Sequence, residues 1–445
     1  MIDLREIVDG ALAAARDGES VEAYAEESRR TEIDARKGEV EGLTSAESRG
    51  LGVRVIAEGR LGFAYVADPS IEEAREAVAR ARENAAVATE DEFNALPDAQ
   101  PWEPIDGLFF EEQAAMPPED KVALALELER VAVSTDPRVT KVESCSFGDA
   151  IGRIAMGSTA GVDAEFRRTG CWCVVGTLAE QDGDTQTGFS FQVAHRVSDL
   201  DPDAVAREAV ERAARMLGAV KPPTKRVPIL FDAFAASSFL GVLAGGLSAE
   251  AVQKGRSLFA ELVGEQVGAE VFTLVDDGRL REGPAASPFD DEGVPTGRTE
   301  LLTGGVLNGF LHNTYTARRG GATSTGNASR AGYRSTPGVG TSNFYVEPGT
   351  EPFERLLEAA DGGVLIQDVS GVHSGANPIS GEFSVGATGL RIAGGSLGEP
   401  VREMTIASTI PEMLRSIRAV GSDLRFLSSV GSPSILIGEM TIAGV

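Results

Sequence analysis

The sequence is poor in the residues that most enzymes use for chemistry. Its 445 positions hold three histidines (His195, His312, His373) and three cysteines (Cys145, Cys171, Cys173), so any general-base, triad or zinc arrangement must draw on three imidazoles. The cysteine count is odd and no CxxC pair occurs, which gives no disulfide framework and suits a reducing compartment. Long apolar runs are also missing, with no stretch of about 18 residues fit to span a bilayer. The N-terminal MIDLREIVDGALAAARDGES lacks the basic and apolar segments of a secretory signal. These absences predict a cytoplasmic protein with no membrane partner. Positive charge is short too: 41 Lys+Arg against 68 Asp+Glu give a formal charge of −27, which repels a phosphate backbone. No nucleic-acid partner is expected. Neither GxxxxGK[ST], GxGxxG nor HExxH occurs, and no hydrolase nucleophile elbow is expected, so nucleotide-dependent and α/β-hydrolase chemistry lose their usual support.

What is present is an ordinary globular balance, 42% apolar and 24% charged, long enough for two or three cores. Asp3 with Glu6 caps a first helix expected to end near Gly18. Alternation at Val21, Ala23, Ala25 and at Leu51, Val53, Val55 reads as strand, and Glu58-Gly59 as the turn of a β-hairpin. Ser70 and Glu73 form a capping-box pair before a helix reaching about Asn84. Asp68-Pro69 before Ala74-Arg-Glu-Ala-Val78 is echoed by Asp201-Pro202 before Ala206-Arg-Glu-Ala-Val210. Chance likeness between Ala/Arg/Glu helices is the favoured reading of that echo, against an internal duplication. Between the copies come an irregular Pro97–Pro118 stretch, a helix from about Glu119 to Ser134 and strands at Glu165–Leu178 and Thr185–Ala194. The first half therefore reads as an antiparallel sheet with helices on one face.

Lys221-Pro-Pro-Thr-Lys225 is the best linker, placing an α+β domain at 1–220, with possible sub-repeats, and a β-rich, barrel-like domain at 226–445. In the second, Val227–Phe231 reads as a buried strand, Ala233–Leu247 as a packed helix, and Ile410–Val420 as another helix. Leu301–Val346 has no Asp or Glu but carries Arg318, Arg319, Arg330 and Arg334. In so acidic a chain this stretch suits receipt of carboxylates or carbonyls; equally, its arginines pair with the acidic remainder. His373 and Asn377 lie in a glycine-flanked turn, with substrate contact as the alternative, and Ser374 beside His373 is a poor nucleophile. His312, in Asn308-Gly-Phe-Leu-His-Asn313, reads first as structural and second as a ligand contact. Cys171 and Cys173 share a strand face with no further ligand beside them, which reads as sheet packing rather than a metal site.

Several stretches carry a resemblance: Lys254-Gly-Arg-Ser-Leu-Phe259 leading into Val263-Gly-Glu-Gln-Val267, Phe289-Asp-Asp-Glu-Gly293 with Pro295-Thr296, Leu307–Thr316, Gly375–Ser384, Val420–Leu424 and Gly431–Leu436. With the Gly50–Val66 hairpin, the chain resembles the TldD/PmbA family, also called the modulator of DNA gyrase family, over nearly its whole length. The resemblance implies one of two kinds of subunit. The TldD kind carries HExxxH on a helix, two zinc-binding histidines with a glutamate base, and a later cysteine ligand. The matching segment here is Leu240-Gly-Val-Leu-Ala-Gly245, and Arg425–Val430 has no cysteine. This chain is similar instead to the PmbA, or TldE, kind, which implies no catalytic or metal-ligating residue and no cofactor of its own. Zinc is then expected in a TldD-type partner, the pair acting as a metallopeptidase on unfolded or extended peptides. The groove candidates are His312, Asn313, Arg318, Arg319, Asn327, Arg330, His373 and Asn377. A homodimeric, non-enzymatic scaffold is the alternative, and a direct gyrase or DNA regulator the least favoured.

Overall fold

The computed structural model describes residues 3–444. Helix α1 (Leu4–Leu12) is followed by strands β1 (Ser20–Arg36), β2 (Glu39–Ala57) and β3 (Arg60–Ala67) and by helix α2 (Ile71–Val87). After a one-turn α3 (Glu111–Ala114), the pattern returns as α4 (Pro118–Thr135), β4 (Val139–Ser158), β5 (Asp163–Gln181), β6 (Asp184–Ala194) and α5 (Pro202–Ala214). The strands form one antiparallel sheet in the order β3-β2-β1-β4-β5-β6. Two α-β-β-β-α units thus meet along β1 and β4, with Ser28 opposite Gly152 at the middle of that pairing.

Each unit uses the same local chemistry. The β1–β2, β2–β3 and β5–β6 hairpins turn on Lys37-Gly38, Glu58-Gly59 and Asp182-Gly183, each with both φ values positive, as two-residue primed turns require. A Cβ on Gly62 of β3 would lie 1.9 Å from the Ala81 carbonyl oxygen of α2, and one on Gly188 of β6 would lie 2.2 Å from the Ala209 carbonyl oxygen of α5. Each outer strand therefore carries a glycine on which its helix rests. Chance likeness does not place matching helices on matching glycines, so the favoured reading of the sequence echo is corrected to a structural duplication.

Helices cover one face only. Leu4, Ile7, Val8, Val21, Val53, Val55 and Val78 pack under α1 and α2, while Ile33, Cys145, Phe147, Cys171, Cys173 and Leu128 pack under α4 and α5. Helix α1 stops at Leu12 rather than near Gly18, once its buried positions Leu4, Ile7, Val8 and Ala11 are used. Ser70 does cap α2: Glu73 N donates to Ser70 Oγ at 3.2 Å, and Ser70 N donates to Glu73 Oε2 at 2.9 Å. Ser70→Ala should lower stability by about 1 kcal/mol, read as a shift in the urea midpoint.

The second half begins with β7 (Lys225–Phe231), α6 (Ala233–Gly246) and α7 (Ala249–Gln253). It continues through β8 (Leu274–Asp277), β9 (Arg298–Thr303), β10 (Val306–Leu307), α8 (Thr314–Gly320), β11 (Ala328–Ser329), β12 (Gly338–Val339), β13 (Phe344–Val346) and α9 (Phe353–Ala359). The last segments are β14 (Val364–Ser370), α10 (Val372–Gly375), β15 (Glu382–Ala393), β16 (Ser396–Thr409), α11 (Ile410–Arg415), β17 (Ile417–Val420), β18 (Arg425–Phe426), β19 (Val430–Ser432) and β20 (Ile435–Ala443). Strands β16-β15-β14-β7-β20 close on themselves through a β16–β20 pairing, making a five-stranded barrel. A second sheet runs β10-β9-β8-β13-β19-β18. Ile229, Phe231, Ile366, Phe383, Ile406 and Ile437 of the barrel share one core with Phe239 and Leu240 of α6 and with Leu274, Leu301 and Phe344 of the second sheet.

Two expectations change here. The helix read over Ile410–Val420 ends at Arg415, because Ile417 and Val420 pair with Ile437 and Ile435 of β20 and the ladder outweighs helix propensity. A GxSxG spacing also exists, at Gly394–Gly398, against the expectation of none. It is not an elbow: Gly394 and Gly395, with φ of +58° and +69°, form the hairpin turn between β15 and β16, which leaves Ser396 exposed. Among the described residues no helix is long and apolar enough to cross a membrane.

Candidate functional site

The face of the first sheet that carries no helices receives the second half of the chain. Tyr24, Met156, Val162 and Ala164 pack against Phe289 and Tyr333. Close approach depends on glycine in β2: a Cβ on Gly50 would sit 2.3 Å from the Tyr333 ring, and one on Gly52 would sit 2.4 Å from the Tyr333 carbonyl oxygen.

At this junction four charged side chains are buried together. Arg54 Nε donates to Glu22 Oε1 at 2.9 Å, and its Nη1 donates to Glu292 Oε1 at 2.9 Å. A second Arg54–Glu22 bond and an Arg330–Glu22 bond complete the set. Thr314 N, at the start of α8, donates to the other Glu292 oxygen at 2.9 Å. Arg54 is 4% exposed and Glu22 and Glu292 1% each, so two carboxylates and two guanidiniums neutralise one another away from water. Burial alone would raise the Glu22 carboxyl, but Arg330 and Arg54 hold it below its ordinary value. Burial opposes the Arg54 charge as well, yet Glu22 and Glu292 hold it above its usual value.

The Asp290-Asp291-Glu292 turn supplies this cluster from the second half. Asp290 Oδ1 accepts from Glu292 N at 2.9 Å and Val294 N at 3.0 Å, and Oδ2 accepts from Ala328 N at 2.9 Å. Burial, with the Glu292 charge beside it, pushes the Asp290 carboxyl well up despite those three donors. Asp276 at the end of β8 holds Asn327 Nδ2 at 2.7 Å and Ser342 Oγ at 2.6 Å. Beside these residues a cleft of about 330 Å³ opens between the halves, lined on one side by Glu26 and Arg168 and on the other by Asp291, Asn327 and Ser342. Gly340 and Thr341 separate it from a second cleft of about 430 Å³ at the C-terminal end of α6, lined by Gly245, Ser248, Glu250, Lys254 and Arg256.

The structure brings only some of the sequence candidates together. Asn327 and Arg330 line the interdomain cleft, and Arg330 pairs with Glu22 while its guanidinium lies 4.9 Å from the Tyr24 ring centroid. Asn313 caps α8, its Oδ1 accepting from Thr316 N at 2.9 Å. His312 is half-buried, with Nδ1 buried and lacking a partner among the described residues, and burial holds its imidazole below its ordinary value. Arg318 and Arg319 are exposed in the last turn of α8. His373 and Asn377 lie apart from the cleft: His373 is exposed on α10, and Asn377 Oδ1 accepts from Ile379 N at 2.8 Å, an Asx turn. Glu22, Arg54, Asp290, Asp291 and Glu292 were not among the site candidates; the last three fall in the Phe289–Gly293 match and Arg54 in the Gly50–Val66 hairpin, while Glu22 lies in none of the matched stretches.

Metal chemistry has few donors to draw on. At the C-terminal part of α6, Leu240 is buried in the core, while Gly241 and Gly245 are exposed and offer no side-chain donor. Among the described residues no group of three or more His, Cys, Asp or Glu is placed to hold a metal ion. Burial pushes the Cys145 and Cys173 thiols up to about 12 and raises Cys171 as well, so none presents a thiolate. His195, with Nδ1 3.2 Å from the Thr169 carbonyl oxygen, sits in the first half. These residues do not fit a zinc centre of the HExxxH type.

Comparison with known proteins defines the class first: models for PmbA/TldA metallopeptidase domain 1, central domain and C-terminal domain match residues 21–85, 111–217 and 224–444 in that order. The chain belongs to the PmbA/TldD family. It is 28% identical over 415 residues to the metalloprotease PmbA of Escherichia coli O157:H7, covering 93% of this chain and 89% of that one. A crystal structure of a Thermotoga maritima protein, described as a proposed modulator of a DNA gyrase, superposes with a TM-score of 0.91 at 28% identity, covering 99% of this chain and 100% of that one. TldE of Thermococcus kodakarensis shares the fold, with a TM-score of 0.91 at 23% identity over 98% of this chain and 99% of that one.

Proposed function

We propose that this chain is the PmbA/TldE-type subunit of a two-component metallopeptidase, working in the cytoplasm with a zinc-bearing TldD-type chain on unfolded or extended peptides. The family sets the metallopeptidase-type role. The observation that carries the subunit assignment is the composition of α6, which holds no histidine, aspartate or glutamate, and the family resemblance sets its Leu240, Gly241 and Gly245 against a metal-binding and base-bearing motif. Neither leucine nor glycine can ligate zinc or take a proton from its water. This subunit's part is to complete a peptide-accepting enclosure against its partner. Asn327 and Arg330 belong to the cleft wall, while His312, Arg318, Arg319, His373 and Asn377 are the candidates for the face turned to peptide or partner.

The purified chain should bind no stoichiometric zinc and leave an unfolded peptide intact. Mixed with a TldD-type chain it should co-elute on size exclusion, and the mixture should cleave peptide in a chelator-sensitive way. Stoichiometric zinc on the chain alone, or a homodimer that ignores the TldD-type chain, overturns the assignment.

A further inference from the structure

We propose that the cleft between the two halves is a binding site for a short peptide with both termini free, its ammonium held by Glu26 and Asp291 and its carboxylate by Arg168. The lining carries charge of both signs, as recognition of a zwitterion requires. Arg168, exposed on β5, has no hydrogen bond or ion pair among the described residues, although the chain carries a net charge of −27. It stands opposite Gly152 of β4, where even an added Cβ would make only an ordinary contact with Arg168 Cγ, at 3.7 Å. A guanidinium left unpaired at the mouth of a cleft is a receptor for a carboxylate fork.

The opposite charge lies in the same cleft. Asp291 Oδ2 accepts from Arg330 N at 2.7 Å, and its other oxygen accepts no hydrogen bond from a described residue. Among the described residues Glu26 accepts one long hydrogen bond, from the Tyr24 hydroxyl at 3.4 Å, and has the Arg334 guanidinium as its charged neighbour. Burial pushes the Asp291 carboxyl up from its usual value against the pull of Arg330 and Arg168, and an incoming ammonium would favour its charged form. Thr341 adds a hydroxyl, Ser287 and Ser342, whose hydroxyls already donate to the Phe289 carbonyl and to Asp276, can still accept from a peptide N–H, and the Phe166 and Phe289 rings, 5.2 Å apart between centroids, form an apolar wall for a side chain. The volume, about 330 Å³, falls at the small end of ligand sites and suits a dipeptide or tripeptide rather than a folded segment. Such peptides are what a peptidase acting on extended chains releases. The inference rests on the subunit reading only for that source, and the test uses this chain alone, so either can fail without the other.

Titration calorimetry at low salt on the full chain, with alanyl-alanine, its N-acetyl form and its C-terminal amide, decides the matter. The free dipeptide should bind, and blocking either end should weaken binding by about tenfold, as loss of one charge-assisted contact implies. Arg168→Gln should remove the preference for the free carboxylate while keeping that for the free amine, and Glu26→Gln should do the reverse. No heat with any of the three, equal affinity for free and blocked forms, or a preference untouched by Arg168→Gln overturns the proposal. Arg168 is exposed and without a described partner, so the variant should fold.

Discussion

Arg54→Met should lower the unfolding free energy by about 3–5 kcal/mol at neutral pH, the penalty for leaving a buried ion without its partner. The substitution preserves much of the apolar stem but removes the charge between Glu22 and Glu292. Glu22 keeps Arg330, whereas Glu292 keeps only the Thr314 N–H. The exposed pair Arg130–Glu127, by contrast, should leave stability almost unchanged when broken, because water already screens it. The pH dependence has a definite sign. Glu22 has a folded pKa held below its unfolded value, so its contribution is complete above the ordinary carboxylate range and is lost as pH falls through the folded value. Arg54→Met removes one of the two guanidiniums that hold the Glu22 carboxyl down, so the variant has less of this contribution to lose on acidification. Urea unfolding of both proteins at neutral and mildly acidic pH should therefore show the gap narrowing as pH falls. Replacing Arg54 and Glu292 together by Met and Leu should recover most of the loss. A single variant losing less than about 1 kcal/mol would mean that water reaches the junction.

That junction was the least legible part of the sequence, for a physical reason. Glu22 alternates with Val21 and Ala23, and Arg54 with Val53 and Val55, which is how a half-buried strand with a wet face is written. The wet face is in fact covered, by residues far along the chain such as Glu292 and Arg330, and no local period records that. Arg330 shows the same limit. The acid-free stretch suggested either a receptor for carboxylates or internal pairing, and for Arg330 the pairing is internal, to Glu22, with its backbone N–H on Asp291. Features that depend on neighbours in sequence were readable. The Glu58-Gly59 turn, the Ser70–Glu73 box and the Val227–Phe231 strand all rest on contacts within a few residues, or on an apolar run long enough to demand burial. Ile410–Val420 marks the boundary between the two cases, since its second half belongs to a ladder whose partner strand lies further on.

The duplication yields the other large effect. Gly62→Val and Gly188→Val should each cost about 3 kcal/mol, the upper part of the overpacking range, because the atoms a side chain would meet are helix backbone and cannot rotate away. On Gly62 a Cβ lies 2.3 Å from Ala85 N as well as 1.9 Å from Ala81 O; on Gly188 it lies 2.3 Å from Ala213 N as well as 2.2 Å from Ala209 O. Relief in either case requires sliding α2 or α5 off its sheet, which opens the Ala77–Ala81 or Ala206–Ala213 contacts beneath. Glycine as such is not what makes these positions fragile. At Gly241, exposed in the middle of α6, an added Cβ would meet nothing within 4 Å, so Gly241→Ala should stabilise by about 0.5–1 kcal/mol through helix propensity. Urea midpoints for the three variants separate the two effects: matched losses at Gly62 and Gly188 with a gain at Gly241 mean that the repeated units are held by the same strand-to-helix contact. A large loss at one of the pair and none at the other would show that the units share topology but not the energetics of their packing.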